Sequence, residues 1–182
     1  MTQPLNRPTR SSPQIHQKQS LGSNQSVQQK PESVEQSDEV TNITSEIQTT
    51  IKKLESGLHQ YQVRTLVEQA RKFGIHLKKH ELKTNHLRRF LDAVKQIEAR
   101  LNRGDEFSIV DNDIAFLQPQ LAYAAARKRE EMKKKDKVNP AKEFSDVITV
   151  AIKEKVKSPK DFERLVQLVE AIIAYHKEAG GE

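Results

Sequence analysis

The sequence predicts an all-α domain, a compact bundle of about five main helices that follows a disordered N-terminal tail. Apolar residues recur at intervals of three and four from about residue 43 onward, which is the period of amphipathic helices. No segment alternates apolar and polar residues between turn signals, as a half-buried strand would. The 182 residues are 35% hydrophobic and 31% charged, a composition that suits a soluble protein with a modest core.

Residues 1–45 are rich in Gln, Ser, Asn and Pro and contain no aromatic residue. Such a segment cannot bury enough apolar surface to offset its chain entropy, so we expect a disordered, passive tail. The helical domain is then predicted to span residues 46–182.

Two helices are predicted before residue 75. The first, ending near Gly57, has a stripe formed by Ile43, Ile47, Ile51 and Leu54. The second is expected from about Leu58 to Phe73. Gly74 is well suited to end it, because glycine readily adopts the left-handed conformation that follows many helices.

The clearest element runs from Leu82 to Arg103. Thr84 and Asn85 are both good N-cap residues. One helical stripe follows, made of Leu87, Phe90, Leu91, Val94, Ile97 and Leu101. The other faces carry Arg88, Arg89, Lys95, Arg100 and Arg103. We therefore expect a helix that docks by its apolar side and presents cations on its exposed side.

Three further helices are predicted after a polar loop over residues 105–113. Pro119 is expected in the first turn of a helix reaching roughly Lys135, since proline is poorly tolerated in a helix interior. Asn139-Pro140 and Ser158-Pro159 are start signals for the last two helices, each combining an N-cap residue with proline at the first helical position.

The charge distribution indicates a polyanionic partner. The formal charge is +6, and residues 1–45 contribute nothing to it because their cations and anions balance. Residues 71–103 hold ten cations against three anions, and residues 119–137 hold seven against three. Two basic patches on an otherwise balanced scaffold are typical of nucleic-acid binding.

Several function classes find no support. Cys is absent, which excludes disulfides and thiolate chemistry. No glycine-rich phosphate loop or nucleophile elbow is present. His76 and His80 share a helical spacing, with Glu81 and His86 nearby, but a zinc site also needs a third ligand and second-shell support, and no HExxH pattern is present. Solvated histidines of a basic patch are the simpler interpretation. We expect no catalysis, no metal and no cofactor.

We also expect no membrane contact and a cytoplasmic location, since no apolar run approaches a membrane span and no signal peptide is evident.

Three stretches together resemble a known family: LKTNHLRRFLDAVKQIE (82–98), FLQPQLAYAAARK (116–128) and LVQLVEAIIAYHKEAGG (165–181). In this order the chain, over about residues 46–182, is similar to the small subunit of type III-A CRISPR effector complexes, the Csm small subunit. The family's Ala-Gly-Arg after the tyrosine is here Ala-Ala-Arg, which keeps the helix.

The resemblance implies a non-catalytic helical bundle that acts in antiviral defence. Its copies stack head to tail in a ribonucleoprotein, beside the backbone subunit and the large polymerase-type subunit. It implies contact with the target RNA and guide RNA through phosphate and sugar. Stacking on unpaired bases has little support in the sequence, because aromatics are only 5% and Phe90 belongs to the apolar stripe.

The start of the basic helix is the strongest predicted RNA site, because free amide groups there also favour phosphate. The candidate RNA-binding residues are Lys83, Asn85, His86, Arg88, Arg89 and Lys95, with Arg127 and Lys128 added by their position in the second stretch. Two alternatives stay open: a helical protein–protein scaffold whose charges serve only solubility, and a helical DNA-binding regulator.

Overall fold

The computed structural model describes residues 42–134 and 136–182, so most of the predicted tail lies outside the described residues. Within them there are six α-helices and no strand, which confirms the all-α class. The helices are α1 (Asn42–Lys52), α2 (Val63–Lys79), α3 (Thr84–Asn102), α4 (Phe107–Glu131), α5 (Pro140–Lys155) and α6 (Pro159–Glu178). A 3₁₀ turn, Leu58–Gln60, joins α1 to α2. The division of the chain at residue 45 remains a prediction.

Helix α6 is the central element of the bundle. It packs against α2, α3 and the 3₁₀ turn, while α4 packs against α5 and α3. The predicted apolar stripes supply the core, in which Ile47, Phe73, Val94, Ile148 and Phe162 have no more than 1% of their surface exposed. None of the helices in the described ranges is long and apolar enough to cross a membrane.

The predicted starts of the last two helices are confirmed. The Asn139 side chain accepts a hydrogen bond from the Lys142 amide, and Ser158 accepts one from the Asp161 amide. Asp161 is itself almost fully buried, with 2% exposure. Its carboxylate accepts hydrogen bonds from the Ser158 hydroxyl at 2.7 Å, the His59 amide at 2.9 Å and the His59 ring at 2.7 Å. This carboxylate therefore ties the 3₁₀ turn to the start of α6.

Replacing Asp161 by asparagine is expected to lower the free energy of unfolding by about 2 kcal/mol, because charge-assisted hydrogen bonds at a buried helix start are lost. Burial raises the pKa of Asp161, but the hydrogen bonds from His59, Ser158 and Lys157 outweigh it and leave the pKa below its usual value. Urea denaturation followed by circular dichroism measures the loss.

Asp146→Asn is the control, since Asp146 forms only an exposed pair with Lys142 and should change stability by less than about 0.5 kcal/mol. Equal losses in the two variants would contradict this role.

Gly74 does not end a helix, contrary to the sequence prediction. It lies inside α2, which continues to Lys79. A Cβ atom at Gly74 would lie 2.7 Å from the main-chain nitrogen of His176 and 2.7 Å from the main-chain oxygen of Ile172. The glycine is thus needed for the close approach of α2 to α6, which places His76 and Leu77 in the core.

Helix α4 is also longer than predicted, because it begins at Phe107 and contains Pro119 in its interior. The expected polar loop over residues 105–113 is therefore mostly helix. A buried stripe extends across the proline and comprises Val110, Ile114, Leu117 and Leu121. Packing of that stripe outweighs the hydrogen bond that proline removes. The helix ends at Glu131 rather than near Lys135, which lies outside the described residues.

Candidate nucleic-acid interface

Helix α3 forms as predicted, although its cap differs. Lys83 occupies the N-cap position without a side-chain hydrogen bond, and Thr84 is the first helical residue. The Thr84 amide donates to the main-chain oxygen of Glu182 at 2.7 Å. One of the amides expected to favour phosphate is therefore used within the chain, which leaves the recognition of an anion mainly to the side-chain cations of this helix.

Most of the candidate residues at the start of α3 are exposed. Lys83, Asn85, Arg88 and Arg89 are open to solvent, and His86 is half-buried. No carboxylate within the described ranges forms an ion pair with Lys83, Arg88 or Arg89. An external anion can therefore bind these three cations without first breaking an ion pair within the described part of the chain.

Lys95 stands in a different environment. Its ammonium group lies 2.8 Å from Glu98 and also contacts Glu170 of α6. The hydrogen bonds to Glu170 and Glu98 raise the pKa of Lys95 above its usual value. Two carboxylates therefore compete with any phosphate for this lysine, and Glu170 could not have been identified as a partner without the packing of α3 on α6.

The two candidates on α4 also have partners inside the chain. The Arg127 guanidinium lies 3.5 Å from Glu131, one helical turn away, and both side chains are largely exposed. Exposed pairs of this kind are worth no more than about 1 kcal/mol, so Arg127 can exchange Glu131 for a phosphate. Lys128 is half-buried and donates to the main-chain oxygen of Glu81 at 3.2 Å, which fixes it beside the turn that precedes α3.

A groove between α3 and α4, with a volume of about 510 Å³, brings three of the candidates together. His86 and Arg89 come from α3 and Arg127 from α4. Burial lowers the pKa of His86, as do the neighbouring arginines and Lys128, against the opposing effect of Glu131. At neutral pH the arginines are therefore the cations of this groove, and His86 is a neutral hydrogen-bonding group. Arg88 and Lys95 do not line it.

Two aromatic residues of the same groove are not among the RNA-binding residues predicted from the sequence. Phe116 is 65% exposed and Tyr123 is 71% exposed, and both border the groove. They lie seven residues apart on α4, beside the buried stripe rather than within it. That spacing is visible in the sequence, but it becomes meaningful only when α4 is known to begin well before Pro119.

The histidines near the end of α2 are not the solvated residues that were expected. His76 is 5% exposed, and its Nε2 atom lies 2.5 Å from Glu143 of α5. The rings of His76 and His80 are 4.6 Å apart, and burial lowers the pKa of His80. In the described part of the chain, no group of three or more His, Asp or Glu side chains has a geometry that could hold a metal ion.

A Ser–Asp–His cluster near the start of α6 does not have the geometry of a nucleophilic relay. Ser158 and His59 both bond to the Asp161 carboxylate rather than to each other. A nucleophile needs a base in hydrogen-bonding reach, whereas the Ser158 hydroxyl donates to the Asp161 carboxylate in the first turn of the same helix. The cluster is a structural element of the bundle.

Comparison with known proteins assigns the chain to a family. A family model, Csm2 Type III-A, matches residues 60–182, which include α2 to α6 and both helices of the groove. No curated protein and no solved structure matches the chain. Because the family match covers about two thirds of the 182 residues, the chain belongs to the Csm2 Type III-A family.

Proposed function

We propose that the chain is a non-catalytic RNA-binding subunit of a type III-A CRISPR interference complex, which stacks head to tail with copies of itself and contacts the target RNA backbone through α3 and α4. Family membership supports a place in a type III-A complex. The observation that favours RNA is the exposed cationic start of α3, where Arg88 and Arg89 have no ion-pair partner among the described residues.

Phosphate contact explains the kind of side chains present. In a guided complex, base pairing selects the sequence, so the protein needs cations on a rigid surface rather than groups that read base edges. Helix α3 provides that surface, because Leu87, Val94 and Ile97 anchor it in the core while Arg88 and Arg89 face solvent. The guanidinium group of arginine suits phosphate, since its donors form a planar fork.

Head-to-tail stacking has separate support on α2. Val63 and Val67, one turn apart at the start of α2, are 53% and 38% exposed. Ile75 is 47% exposed, but the exposed Arg71 lies between it and Val67 on the helix surface. Val63 and Val67 therefore form a small apolar surface that is suited to contact with another protein. We assign it to the next copy of the subunit, and the backbone and large subunits remain further proposed partners.

Full-length protein is expected to bind single-stranded RNA with little sequence preference and with an affinity that falls steeply as salt rises. Each phosphate contact contributes about −0.7 to the slope of log affinity against log salt. Arg88→Glu with Arg89→Glu should therefore lower affinity about tenfold or more at low salt and reduce the magnitude of the slope by about 1.4. Fluorescence anisotropy with a labelled oligonucleotide measures both quantities.

The matched control is Lys52→Glu with Lys53→Glu, which makes the same change in net charge at exposed positions at the end of α1, a helix that packs on α5 and α2. It should leave the salt slope nearly unchanged. If wild-type protein fails to bind RNA at low salt, or if the two double variants lose affinity equally, the proposed contact through α3 is wrong. Retained self-association without RNA binding would instead favour the protein scaffold.

A further inference from the structure

The groove between α3 and α4 has two kinds of surface. Its floor is apolar and includes Leu87, Phe90 and Leu121, which are all at least 94% buried. Its rim carries the exposed rings of Phe116 and Tyr123 together with the arginines Arg89 and Arg127. An apolar cavity bordered by exposed aromatics indicates a binding surface rather than ordinary surface composition.

The rim chemistry distinguishes between possible occupants. An apolar helix of another protein would fill the floor, but it would cover Arg89 without offering it an anion, which is costly because Arg89 has no ion-pair partner among the described residues. A nucleotide satisfies both parts of the groove, because its base has a flat apolar face and its phosphates are anionic. Aromatic rings beside basic side chains are the usual way in which proteins hold unpaired bases.

The order of residues along α4 agrees with a nucleotide. Arg127 follows Tyr123 by four residues, so the two side chains lie one turn apart on the same side of the helix. Arg89 reaches the groove from α3, across from Tyr123. The weak pair between Arg127 and Glu131 leaves the guanidinium free to move to a phosphate beside a base on the Tyr123 ring.

We propose that this groove binds one unpaired base of the RNA, stacked on Tyr123, with the adjacent phosphates held by Arg89 and Arg127. This inference rests on the proposed RNA-binding function and adds a base contact to the backbone contacts made by α3. A base within a duplex is not accessible to the groove, so the ligand is a single-stranded or splayed nucleotide.

The test uses full-length protein and a single-stranded RNA that contains one 2-aminopurine, whose fluorescence is quenched when the base stacks. Wild-type protein should quench it. Tyr123→Ala should abolish the quenching and weaken binding about tenfold, with the salt slope unchanged because no phosphate contact is lost. Arg127→Gln should weaken binding and also reduce the magnitude of the slope by about 0.7.

Two control variants separate stacking from general surface effects. Tyr123→Phe keeps the ring and should retain both the affinity and the quenching. Ile109→Ala removes an apolar side chain that is 55% exposed on the same helix but lies outside the groove, and it should change neither. Because Tyr123 is 71% exposed, its replacement should not unfold the protein, which circular dichroism checks.

The outcomes distinguish this inference from the proposed function. If wild-type protein binds no RNA, the proposed function fails and the base site fails with it. If wild-type protein binds RNA while Tyr123→Ala binds with equal affinity and equal quenching, only the base site is wrong. If Tyr123→Ala instead weakens self-association in sedimentation and leaves RNA binding intact, the groove is a contact between copies and the base site is overturned.

Discussion

Replacing Gly74 by alanine is expected to lower the free energy of unfolding by about 3 kcal/mol, although alanine is the better helix former by about 1 kcal/mol. The reason is that the added Cβ would lie within 2.7 Å of two main-chain atoms of α6, the His176 nitrogen and the Ile172 oxygen. Main-chain atoms cannot rotate away as side chains do, so α2 and α6 must separate and the core between them must loosen.

Valine at position 74 should cost more than about 4 kcal/mol, a large part of the 5–15 kcal/mol that holds a typical domain together. Urea denaturation monitored by far-ultraviolet circular dichroism measures both variants. Arg71→Ala is the control, because Arg71 is exposed on the same helix and alanine there should change stability by less than about 0.5 kcal/mol. A stabilised Gly74→Ala variant would show that Gly74 is only a weak helix residue and that the two helices are not closely packed there.

Gly74 and Pro119 mark the limit of what could be predicted from the sequence. Locally, glycine favours a helix end and proline favours a helix start, and both predictions used only these tendencies. In the folded chain, the contact of α2 with α6 and the buried stripe of α4 override them. Asn139 and Ser158 were predicted correctly because capping is a local interaction between a side chain and an amide two or three residues away.

In the candidate site, too, the features set by local sequence were predictable and those set by packing between helices were not. The exposed face of α3 was predictable, because helical periodicity alone separates Arg88 and Arg89 from the buried stripe. The pairing of Lys95 with Glu170 was not, because the two residues meet only when α3 packs on α6. The groove was not predictable either, since it needs the packing of α4 against α3 and a helix that begins early enough to include Phe116.

The buried histidine of α6 gives the start of α3 its position. His176 has no exposed surface, and its Nε2 atom lies 2.8 Å from the main-chain oxygen of Leu82. Its Nδ1 atom lies 3.4 Å from the Thr84 hydroxyl. A neutral ring that donates from Nε2 and accepts at Nδ1 satisfies both contacts. Gly181 packs so closely on this ring that a Cβ there would lie 2.2 Å from it, which holds the following residue, Glu182, against the Thr84 amide.

Replacing His176 by alanine is expected to cost about 3 kcal/mol, because it leaves a cavity and an unpaired Leu82 carbonyl group. Urea denaturation measures this loss. His86→Ala is the comparison, since His86 is half-buried and should cost about 1 kcal/mol. A loss at His176 no larger than that at His86 would contradict its anchoring role.

His176 should also make the protein sensitive to mild acid. Burial lowers the pKa of His176, as do Lys177 and Lys78, and the hydrogen bond to Leu82 only partly offsets them. As the pH falls through about 6.5, the imidazole binds a proton in the unfolded chain but stays neutral in the folded chain. The stabilisation from neutral His176 is therefore complete above pH 6.5 and is lost as the pH falls below that value. The expected slope from this residue is up to about 1.4 kcal/mol per pH unit below pH 6.5.

Denaturation midpoints between pH 7.5 and 5 should fall less steeply for His176→Gln than for wild type. Parallel pH profiles would assign the acid sensitivity to His80 and His86, whose pKa values burial also lowers.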